Sequence, residues 1–315
     1  MNKSAYASAK NGHSQFAAGI FFGIIAALAF GTNPLFARML YQQGFSVDSV
    51  LLFRFLPAAA ALGAVMVVRR SSFRLSRKEL LFCVSSGLLF CLTSLALFKS
   101  YQMMDVGVAA TLLFVYPVLV TIISAIFFRE KIKLQTLAAL VVAVAGVAFL
   151  SATPSKTPTG LLGIVIALLA ALFYAGYLVV VGLNKKFQIN SGKLTFYVLV
   201  TCVVFYASQT LFGVFRVGSF NTVSCLSIAG LSIISAIVSL SCAALALKRC
   251  SATDVAVLGA LEPLSATFWG VAVFHEILNW QIVLGMGLIL VSVFLVICPV
   301  QCKKGCIDHH SPNSE

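Results

Sequence analysis

The chain contains ten mostly apolar runs, each of about 20 residues, which is the length a helix needs to cross the hydrocarbon core of a bilayer. Gaps of only about 4 to 13 residues separate them, too short for a soluble domain of the usual 50 residues or more. We therefore predict an all-α integral membrane protein with ten transmembrane helices. The runs are approximately 15–37, 49–68, 79–100, 106–128, 134–150, 160–183, 194–215, 225–247, 254–274 and 280–298.

The composition supports a lipid-exposed surface and argues against nucleic-acid binding. Of the 315 residues, 60% are hydrophobic and 10% are charged, whereas soluble domains have about 45–50% apolar and about 25% charged residues. The net charge is +13, but the basic residues are divided among short gaps and do not form one patch. Five cysteines lie inside apolar runs and are interpreted as small reduced hydrophobes. They are Cys83, Cys91, Cys202, Cys225 and Cys242.

A sequence repeat relates the two halves of the chain. A Pro–Glu–Gln frame with spacings of 13 and 5 residues occurs twice, first as Pro117, Glu130 and Gln135 and then as Pro263, Glu276 and Gln281. Upstream of it, Lys99 and Asp105 match Lys248 and Asp254 with an offset of 149 residues. The chain is thus predicted to contain two related units of five helices each.

The first run also resembles a signal peptide, because Lys3 and Lys10 precede it and an Ala-Leu-Ala sequence at 27–29 resembles a cleavage site. The repeat favours retention of this run. Five of its residues recur in the sixth run with an offset of 144 residues: Gly19, Ile20, Ala26, Ala27 and Leu28. We therefore expect the first run to be a transmembrane helix.

The basic residues predict the orientation of the chain. With the N terminus inside, 17 lysines and arginines fall on the inner side and four on the outer side, with Arg54 inside a span. The four outer residues are Arg38, Lys99, Lys156 and Arg216. Because basic residues concentrate in cytoplasmic loops, we expect both termini in the cytoplasm of a protein in the inner or plasma membrane.

An odd number of helices in each half makes the two halves cross the membrane in opposite senses, so the repeat is predicted to be inverted. Inverted repeats are common in secondary transporters. The expected organisation is a cytoplasmic tail (1–14), a first five-helix repeat (15–150), a linker (151–159), a second repeat (160–298) and a cytoplasmic tail (299–315).

The two copies, DVGVAATLLFVYPVLVTIISAIFFREKIKLQ and DVAVLGALEPLSATFWGVAVFHEILNWQ, resemble the drug/metabolite transporter superfamily, specifically its EamA-like group. A proline in the fourth and ninth spans and a glutamate just past each span carry the resemblance, together with Arg54 in LLFRFLPAA. It extends over about residues 16 to 298 and implies a ten-helix carrier with a central cavity lined by both halves. One departure is that Arg129 and His275 stand where the family often has glycine before the glutamate.

Two charged residues inside predicted spans are the main candidates for substrate binding. Arg54 lies about six residues into the second span, where a charge costs on the order of 2.5–3.5 kcal/mol on insertion scales. It either binds an anionic substrate group, reaches the outer surface, or pairs with a structural carboxylate. Glu262 lies about 12 Å into the ninth span at 1.5 Å per residue. It either carries a coupling proton or binds a substrate amine, or it bonds a backbone carbonyl that Pro263 leaves free.

Other predicted site residues are polar, aromatic or helix-interrupting. Tyr116 corresponds to Glu262 in the repeat. Pro117 and Pro263 remove backbone donors and either expose carbonyls to a cavity or shape a static kink. Asn33 is placed in the cavity or at a helix contact. Candidate cavity aromatics, for which lipid contact or core packing is the alternative, are Phe30, Tyr174, Tyr177 and Trp269.

Some polar residues are expected to have structural roles. Glu130 and Glu276 are expected to cap or anchor the span that follows each of them, and gating is the alternative. Small residues at 139, 143, 285 and 287 indicate close helix packing, with a homodimer face as one option. The tail CPVQCKKGCIDHH fits no standard zinc spacing and is expected to be a plain cytoplasmic tail.

These features predict a secondary transporter and not an enzyme. HEILN lacks the second histidine of a zinc protease motif, and neither a P-loop nor a G-x-S-x-G motif is present. No cofactor or metal is predicted, and the expected partners are a small-molecule substrate and the lipid bilayer, with protons as a candidate coupling ion. The expected substrate is an amino acid or related zwitterion, and the expected direction is export. The alternative is import of a larger metabolite such as a nucleotide-like solute.

Overall fold

The computed structural model describes residues 3–128, 134–151, 160–209, 216–247, 249, 258–259 and 261–297, and this part of the chain is helical with no strand. Glu130, Lys248, Asp254, the linker 152–159 and the C-terminal Cys/His tail lie outside the described residues. The first repeat contains α1 (Lys3–Phe30), α2 (Asn33–Gln42), α3 (Val47–Val68), α4 (Arg77–Met103), α5 (Val106–Leu113), α6 (Tyr116–Phe128) and α7 (Leu134–Ser151). The second contains α8 (Gly160–Gly182), α9 (Asn184–Phe187), α10 (Ser191–Ser208), α11 (Thr222–Ala229), a π-helix (Gly230–Val238), α12 (Ser239–Leu247), α13 (Leu261–Phe274) and α14 (Trp280–Ile297).

Seven of the helical segments are long and apolar enough to cross a membrane. They are Gln15–Gln42, Val47–Val68, Arg77–Met103, Val106–Phe127, Leu161–Gly182, Ser191–Ser208 and Thr222–Ala243. The other three predicted spans correspond to shorter apolar helices, at Leu137–Phe149, Leu261–Phe274 and Trp280–Leu295. The chain is therefore a multi-pass, all-helical membrane protein, and the count of ten spans stays a prediction.

Two of the predicted spans are interrupted near their middle. Gly31 and Thr32 separate α1 from α2, and Phe114 and Val115 separate α5 from α6. A proline stands at the second position of the helix that restarts in each case, at 34 and at 117. Proline is compatible with the first turn of a helix because that turn has no backbone acceptor for its N–H. Thr32 and Phe114 keep α-helical dihedral angles, so each proline interrupts the hydrogen bonding of its span without ending the helical path of the backbone.

The largest helix–helix contacts join the two halves of the chain. The pairs are α4 with α8, α7 with α14, α1 with α12, α3 with α10, α4 with α10, α5 with α13, and α6 with α8. Large apolar side chains such as Val68, Phe127 and Leu161 remain on the outer surface, 73–83% exposed, as expected where the surroundings are hydrocarbon. The core thus lies between the repeats, not within either one.

The predicted close packing of small residues occurs inside one chain. Ala139 and Ala143 on α7 are buried. A side chain added at Gly146 would come within 2.8 Å of Ile289 and 2.9 Å of the carbonyl oxygen of Gly285. By contrast, a side chain at Gly287 would meet nothing within 4 Å. This packing accounts for most of the small residues without a second chain, and a homodimer stays a prediction.

The five cysteines in apolar runs are free thiols. Cys83, Cys91 and Cys202 are buried, and the sulfur atoms of Cys91 on α4 and Cys202 on α10 are 3.3 Å apart. Their contact lies where the two halves of the chain meet. The interpretation of these residues as small packing groups agrees with their burial.

Residues predicted on the same side of the membrane lie at the same end of the bundle. Arg38 pairs with Glu276, and the hydroxyl of Ser49 donates to the carbonyl oxygen of Arg216 at 2.7 Å. All of these were predicted on the outer side. At the other end, the Lys193 ammonium group donates to the Arg74 carbonyl oxygen, and both residues were predicted inside. Which end faces the cytoplasm remains a prediction.

Candidate functional site

Arg54 lies in the interior of the bundle. Its side chain is 4% exposed, and its guanidinium carbon lies 5.2–5.4 Å from the ring centroids of Phe30, Phe55 and Phe98. Aromatic faces attract a cation electrostatically, but they do not supply the oxygen acceptors with which its N–H groups form hydrogen bonds. The position rules out the interpretation in which Arg54 extends to the outer surface, and it leaves the cation available to an interior ligand.

Two donor groups at this site have no partner. Among the described residues, the only buried side-chain nitrogen or oxygen atoms without a hydrogen bond are Nε of Arg54 and Nδ2 of Asn33. An unsatisfied buried donor costs about 1–3 kcal/mol, and more when it is charged. Both atoms belong to residues that the sequence indicates as candidates for substrate binding.

The π-helix holds the surroundings of these donors in place. The hydroxyl of Ser235 donates to Oδ1 of Asn33. Three residues earlier, the hydroxyl of Ser232 donates to the carbonyl oxygen of Phe53, next to Arg54, at 2.8 Å. Since Oδ1 is occupied as an acceptor, the amide nitrogen of Asn33 is the end left free for a ligand. π-Helical turns are often found at functional sites.

Hydroxyl groups from the second half satisfy carbonyl groups at the break in the first span. Ser265 donates to the Leu28 oxygen at 3.2 Å, and Ser239 donates to the Ala26 oxygen at 3.1 Å. At Gly31, an added side chain would come within 2.5 Å of Ser265 and 2.8 Å of the Glu262 carbonyl oxygen. Only glycine permits this approach, which brings the start of α13 directly against the break.

Glu262 faces the same interior region as Arg54. It is half-buried, in the first turn of α13, and it interacts electrostatically with Arg54, Tyr101 and Tyr116. Among the described residues the only salt bridge joins Arg38 and Glu276, so Glu262 and Arg54 do not pair directly. The two opposite charges share one region without neutralising each other by contact.

Tyrosines from both halves surround Glu262. The rings of Tyr116 on α6 and Tyr174 on α8 are in edge contact at 4.7 Å between centroids, and Tyr174 stacks on Tyr177 at 5.9 Å. Both Tyr116 and Tyr174 interact electrostatically with Glu262. Pro117 and Pro263 flank this group in the first turns of α6 and α13 and are buried.

Of the predicted cavity aromatics, Trp269 has no described contact with the group of Tyr116, Tyr174 and Tyr177. The ring of Trp269 on α13 packs against the adjacent Phe268 at 5.2 Å, and Phe268 is 61% exposed. Its assignment to the substrate site stays a prediction. Lys99 is exposed on α4, so its ammonium group can extend toward the membrane surface.

Four residues at the site are not among the candidates that the sequence indicates. Tyr101 and Tyr206 interact electrostatically with Arg54, and Ser232 and Ser235 orient its neighbours. A signal for the serines was present, because Ser232, Ser235 and Ser239 recur at helical spacing within an apolar run. No comparable pattern marks the tyrosines, which lie on helices far apart in the chain.

Glu276 links the two halves at the predicted outer end. It pairs with Arg38 on α2 and accepts a hydrogen bond from the Val106 backbone N–H at 3.1 Å. The expectation that it caps the following span is wrong for this residue: it caps α5, in the other half. The Arg38 guanidinium also lies 4.7 Å from the ring centroid of Phe274. Burial raises the pKa of Glu276 above its usual value, and Asp105 raises it further, while the Val106 N–H and Arg38 act in the opposite direction.

The turn before Glu276 explains why glycine suits the preceding position. His275 has a φ of 53°, which lies in the left-handed region that residues other than glycine rarely adopt. The backbone N–H of Glu276 then bonds back to the carbonyl oxygen of Gly270 at 3.1 Å. Arg129, the other departure, lies outside the described residues.

Comparison with known proteins identifies the family twice along the chain. Residues 17–152 and residues 161–298 each match the EamA-like transporter family. Each match covers one of the two units that the repeat predicts.

Relatives of known sequence are bacterial transporters. The chain is 26% identical over 301 residues to the uncharacterized transporter YcbK of Bacillus subtilis (strain 168), covering 91% of this chain and 94% of that protein. It is 31% identical over 103 residues to the uncharacterized transporter YxxF of the same organism, covering 32% of this chain and 33% of that protein. A crystal structure of another protein, 15% identical, shares the fold with a TM-score of 0.61, over 88% of this chain and 94% of that one. The chain belongs to the EamA-like transporter family.

Proposed function

We propose that this transporter is a secondary carrier that moves a small zwitterion, with an amino acid as the expected substrate, across the cell membrane by alternating access. The observation that carries the proposal is the pair of unpartnered donors on Arg54 and Asn33, in the same interior region as the carboxyl of Glu262. A substrate carboxylate supplies the acceptors that the donors lack. Its ammonium group neutralises Glu262, which forms no salt bridge within the described part of the chain.

Charge complementarity favours a zwitterion over a simple anion or cation. An anion would satisfy Arg54 and Asn33 but would add repulsion with Glu262, and a cation would do the reverse with Arg54. Unpaired charges inside a membrane protein are costly and are usually retained for function. A zwitterion compensates both charges in one binding event, while the surrounding aromatic rings accept the apolar part of the molecule.

Alternating access would follow from two halves that cross the membrane in opposite senses. Three observations support such an inverted repeat: the duplicated Pro–Glu–Gln frame, the two matches to one family, and the pairing of helices. The first and eighth spans pair through α1 and α12, and the sixth and third pair through α8 and α4. Exchanging the two halves converts one pair into the other. Three further pairs, second with seventh, fourth with ninth and fifth with tenth, convert into themselves, and the third–seventh pair converts into the contact between the second and eighth spans, which α3 makes with the π-helix.

A second candidate substrate is a larger, nucleotide-like solute that is imported. The observation favouring it is the group of Tyr116, Tyr174 and Tyr177, whose ring contacts resemble a stacking surface for a base. Its phosphate would occupy Arg54 and Asn33. Glu262 opposes this assignment, because its carboxyl would face added negative charge unless protonated.

Transport assays in proteoliposomes test the substrate. We expect counterflow of radiolabelled amino acids, weaker binding of their methyl esters, which lack the carboxylate, and weaker binding of N-acetylated forms, which lack the ammonium group. Flux of nucleotides with no flux of any zwitterion would overturn the proposal in favour of the second candidate. Export, which rests on the resemblance alone, is tested by comparing right-side-out with everted vesicles.

Cysteine labelling tests the topology. Single cysteines at Glu130 and at Glu276, in a background without exposed native thiols, are expected to react with a membrane-impermeant maleimide from opposite sides of sealed vesicles. Labelling of both positions from one side would reject the inverted repeat and, with it, this route to alternating access.

A further inference from the structure

The loop joining α3 to α4 carries five cations on a short, ordered stretch of backbone. We call this set the basic platform: Arg69, Arg70, Arg74, Arg77 and Lys78. All five side chains are exposed. None of them forms a side-chain hydrogen bond, an ion pair or a ring contact with the rest of the described chain.

The backbone of the platform is fixed at several points. The Ser71 N–H bonds to the Met66 carbonyl oxygen at 2.9 Å, which closes the end of α3. At the start of α4, Ser76 and Glu79 form a capping box, so the one acidic side chain between 69 and 80 is already engaged. The loop is therefore a structured turn and not a loose connection.

Side chains of α10 hold the middle of the loop. The Tyr197 hydroxyl donates to the Phe73 carbonyl oxygen at 2.6 Å, and the Lys193 ammonium group donates to the Arg74 carbonyl oxygen. The rings of Phe73 and Phe196 are in edge contact at 5.5 Å. Through these contacts, the second half of the chain adds a sixth cation, Lys193, to the edge of the platform.

Such an arrangement is unfavourable unless an anion is present. Five like charges within ten residues repel one another, and a fixed backbone prevents them from separating freely. Dissolved salt relieves only part of this repulsion. A multivalent or closely held anion would relieve more of it, and arginine forms paired hydrogen bonds to phosphate oxygens.

The surroundings of the platform identify the source of the anion as lipid. Apolar side chains flank the loop at the two helix ends that it joins: Val67 and Val68 are 63% and 83% exposed, and Leu81 is 71% exposed. Cations beside exposed apolar surface occupy the boundary between lipid headgroups and acyl chains. A free phosphate would use the cations but would leave the apolar surface without a function.

We propose that the basic platform binds the phosphate of an anionic phospholipid headgroup, whose acyl chains lie along the exposed apolar ends of α3 and α4. This binding joins the two halves of the chain, since α10 holds the loop. The proposal does not depend on the substrate of the transporter or on the direction of transport.

The test uses the full-length protein purified in a neutral detergent. Binding of phosphatidylglycerol and of phosphatidylcholine with the same acyl chains is measured by native mass spectrometry and by the shift in thermal unfolding. We expect phosphatidylglycerol to bind more tightly and to raise the unfolding temperature more, with an advantage that decreases as salt increases. Equal binding of the two lipids would overturn the proposal.

Two charge-matched variants locate the site. The double variant Arg74→Gln and Arg77→Gln should weaken phosphatidylglycerol binding roughly 30-fold, given about 1 kcal/mol per cation near a membrane surface. The control, Lys99→Gln and Arg216→Gln, removes two exposed cations at the other end of the bundle. Equal weakening in both variants would show a non-specific charge effect and reject the site.

Two further arms separate the lipid from free phosphate and from misfolding. Inorganic phosphate and glycerol phosphate are titrated against the protein; protection as large as that given by phosphatidylglycerol would overturn the lipid assignment. The unfolding temperature of each variant without added lipid is compared with the wild type. We expect it to be unchanged or raised, because the variants remove repulsion. A variant that is less stable without lipid is replaced by Lys78→Gln, and retention of full phosphatidylglycerol binding in that variant counts against the platform.

Discussion

Arg38 and Arg54 lie 16 positions apart in the first half of the chain, and they have different surroundings in the structure. Arg38 meets a carboxylate, Glu276, and an aromatic ring at one end of the bundle. Arg54 lies among three phenylalanine rings in the interior, with Nε lacking a partner. Both are cations beside aromatic faces, and only one of them has its charge neutralised within the chain.

The comparison separates a charge that is paired in the structure from a charge that we propose to bind substrate. Removing one member of a buried pair leaves the other charge uncompensated and destabilises the fold. Removing an unpaired buried charge also removes its desolvation cost, so the fold loses little. Substitution of Arg54 should therefore reduce transport with little loss of stability, whereas substitution of Arg38 should mainly reduce stability.

The largest effect is expected at Arg54. Replacement by methionine keeps most of the side-chain volume and removes the cation. Transport should fall on the order of 100-fold or more, because truncating a buried charged hydrogen-bonding partner costs about 2–5 kcal/mol. The unfolding temperature should be unchanged or higher. Counterflow in proteoliposomes and thermal unfolding of the same preparation check both halves of this prediction, and near-normal transport would place the anion site elsewhere.

Arg38→Met should mainly reduce stability, by about 2–3 kcal/mol for this partly exposed pair. The loss should be larger at pH 8 than at pH 5. Burial already raises the pKa of Glu276. Without Arg38, the buried carboxylate is uncompensated unless it is protonated. Because low pH favours the protonated form, the destabilisation is smaller at pH 5. Denaturation at the two pH values measures the difference.

Glu276→Gln is the control for that pair, because glutamine retains an acceptor for the Val106 N–H and carries no charge. Its loss of stability should be smaller and should not increase from pH 5 to pH 8, because a carboxyl whose pKa is raised in the folded state contributes less stability as the pH rises. A loss in Arg38→Met that did not depend on pH would show that the ion pair contributes little.

Glu262→Gln probes the other interior charge with a smaller expected effect. If Glu262 carries the coupling proton, the variant should retain substrate exchange and lose its response to a pH gradient. Exchange and gradient-driven uptake are measured on the same vesicles. An unchanged response to the gradient would exclude Glu262 as the coupling group. Its role in substrate binding would then still be tested by comparing amino acids with their methyl esters and N-acetylated forms.

Ser235→Ala tests whether the π-helix positions Asn33. Loss of the hydroxyl frees Oδ1 of Asn33, so the amide no longer has one preferred orientation. We expect KM to rise roughly threefold to tenfold with little change in the maximal rate, from the loss of about 1 kcal/mol in hydrogen bonding. Ser292→Ala is the matched control, since Ser292 is equally buried but bonds within its own helix, to Ile289 at 2.7 Å. Equal effects of the two variants would indicate a general packing defect.

The smallest effect is expected at His275. Glycine at this left-handed position should raise stability by less than about 1 kcal/mol, since relief of backbone strain is partly offset by the greater freedom of glycine in the unfolded chain. Thermal unfolding measures the gain. A loss of stability would show that the imidazole makes a compensating contact.

The sequence was sufficient for the membrane class, the family and the location of Arg54 within a span, although it left open whether the side chain extends to the outer surface. Those features depend on local hydrophobicity, on spacing and on the cost of a charge inside a span, all of which can be evaluated along the chain. It did not predict that Glu276 caps α5, because that contact joins positions 170 residues apart. Nor did it decide whether Pro117 exposes backbone carbonyl groups to a cavity or only shapes a static kink, since proline is compatible with both and the surrounding packing decides between them.

The interruption between α1 and α2 has no counterpart in the other half. The sixth span, which corresponds to the first in the repeat, is one continuous helix, α8. For a carrier built from two such halves, identical units would give inward-open and outward-open forms of equal free energy, because a two-fold rotation about an axis in the membrane plane would convert one form into the other. In such a carrier, an interruption in one unit only would remove that equality. The populations of the two forms at rest would then depend on the chain itself, before any solute or gradient is applied.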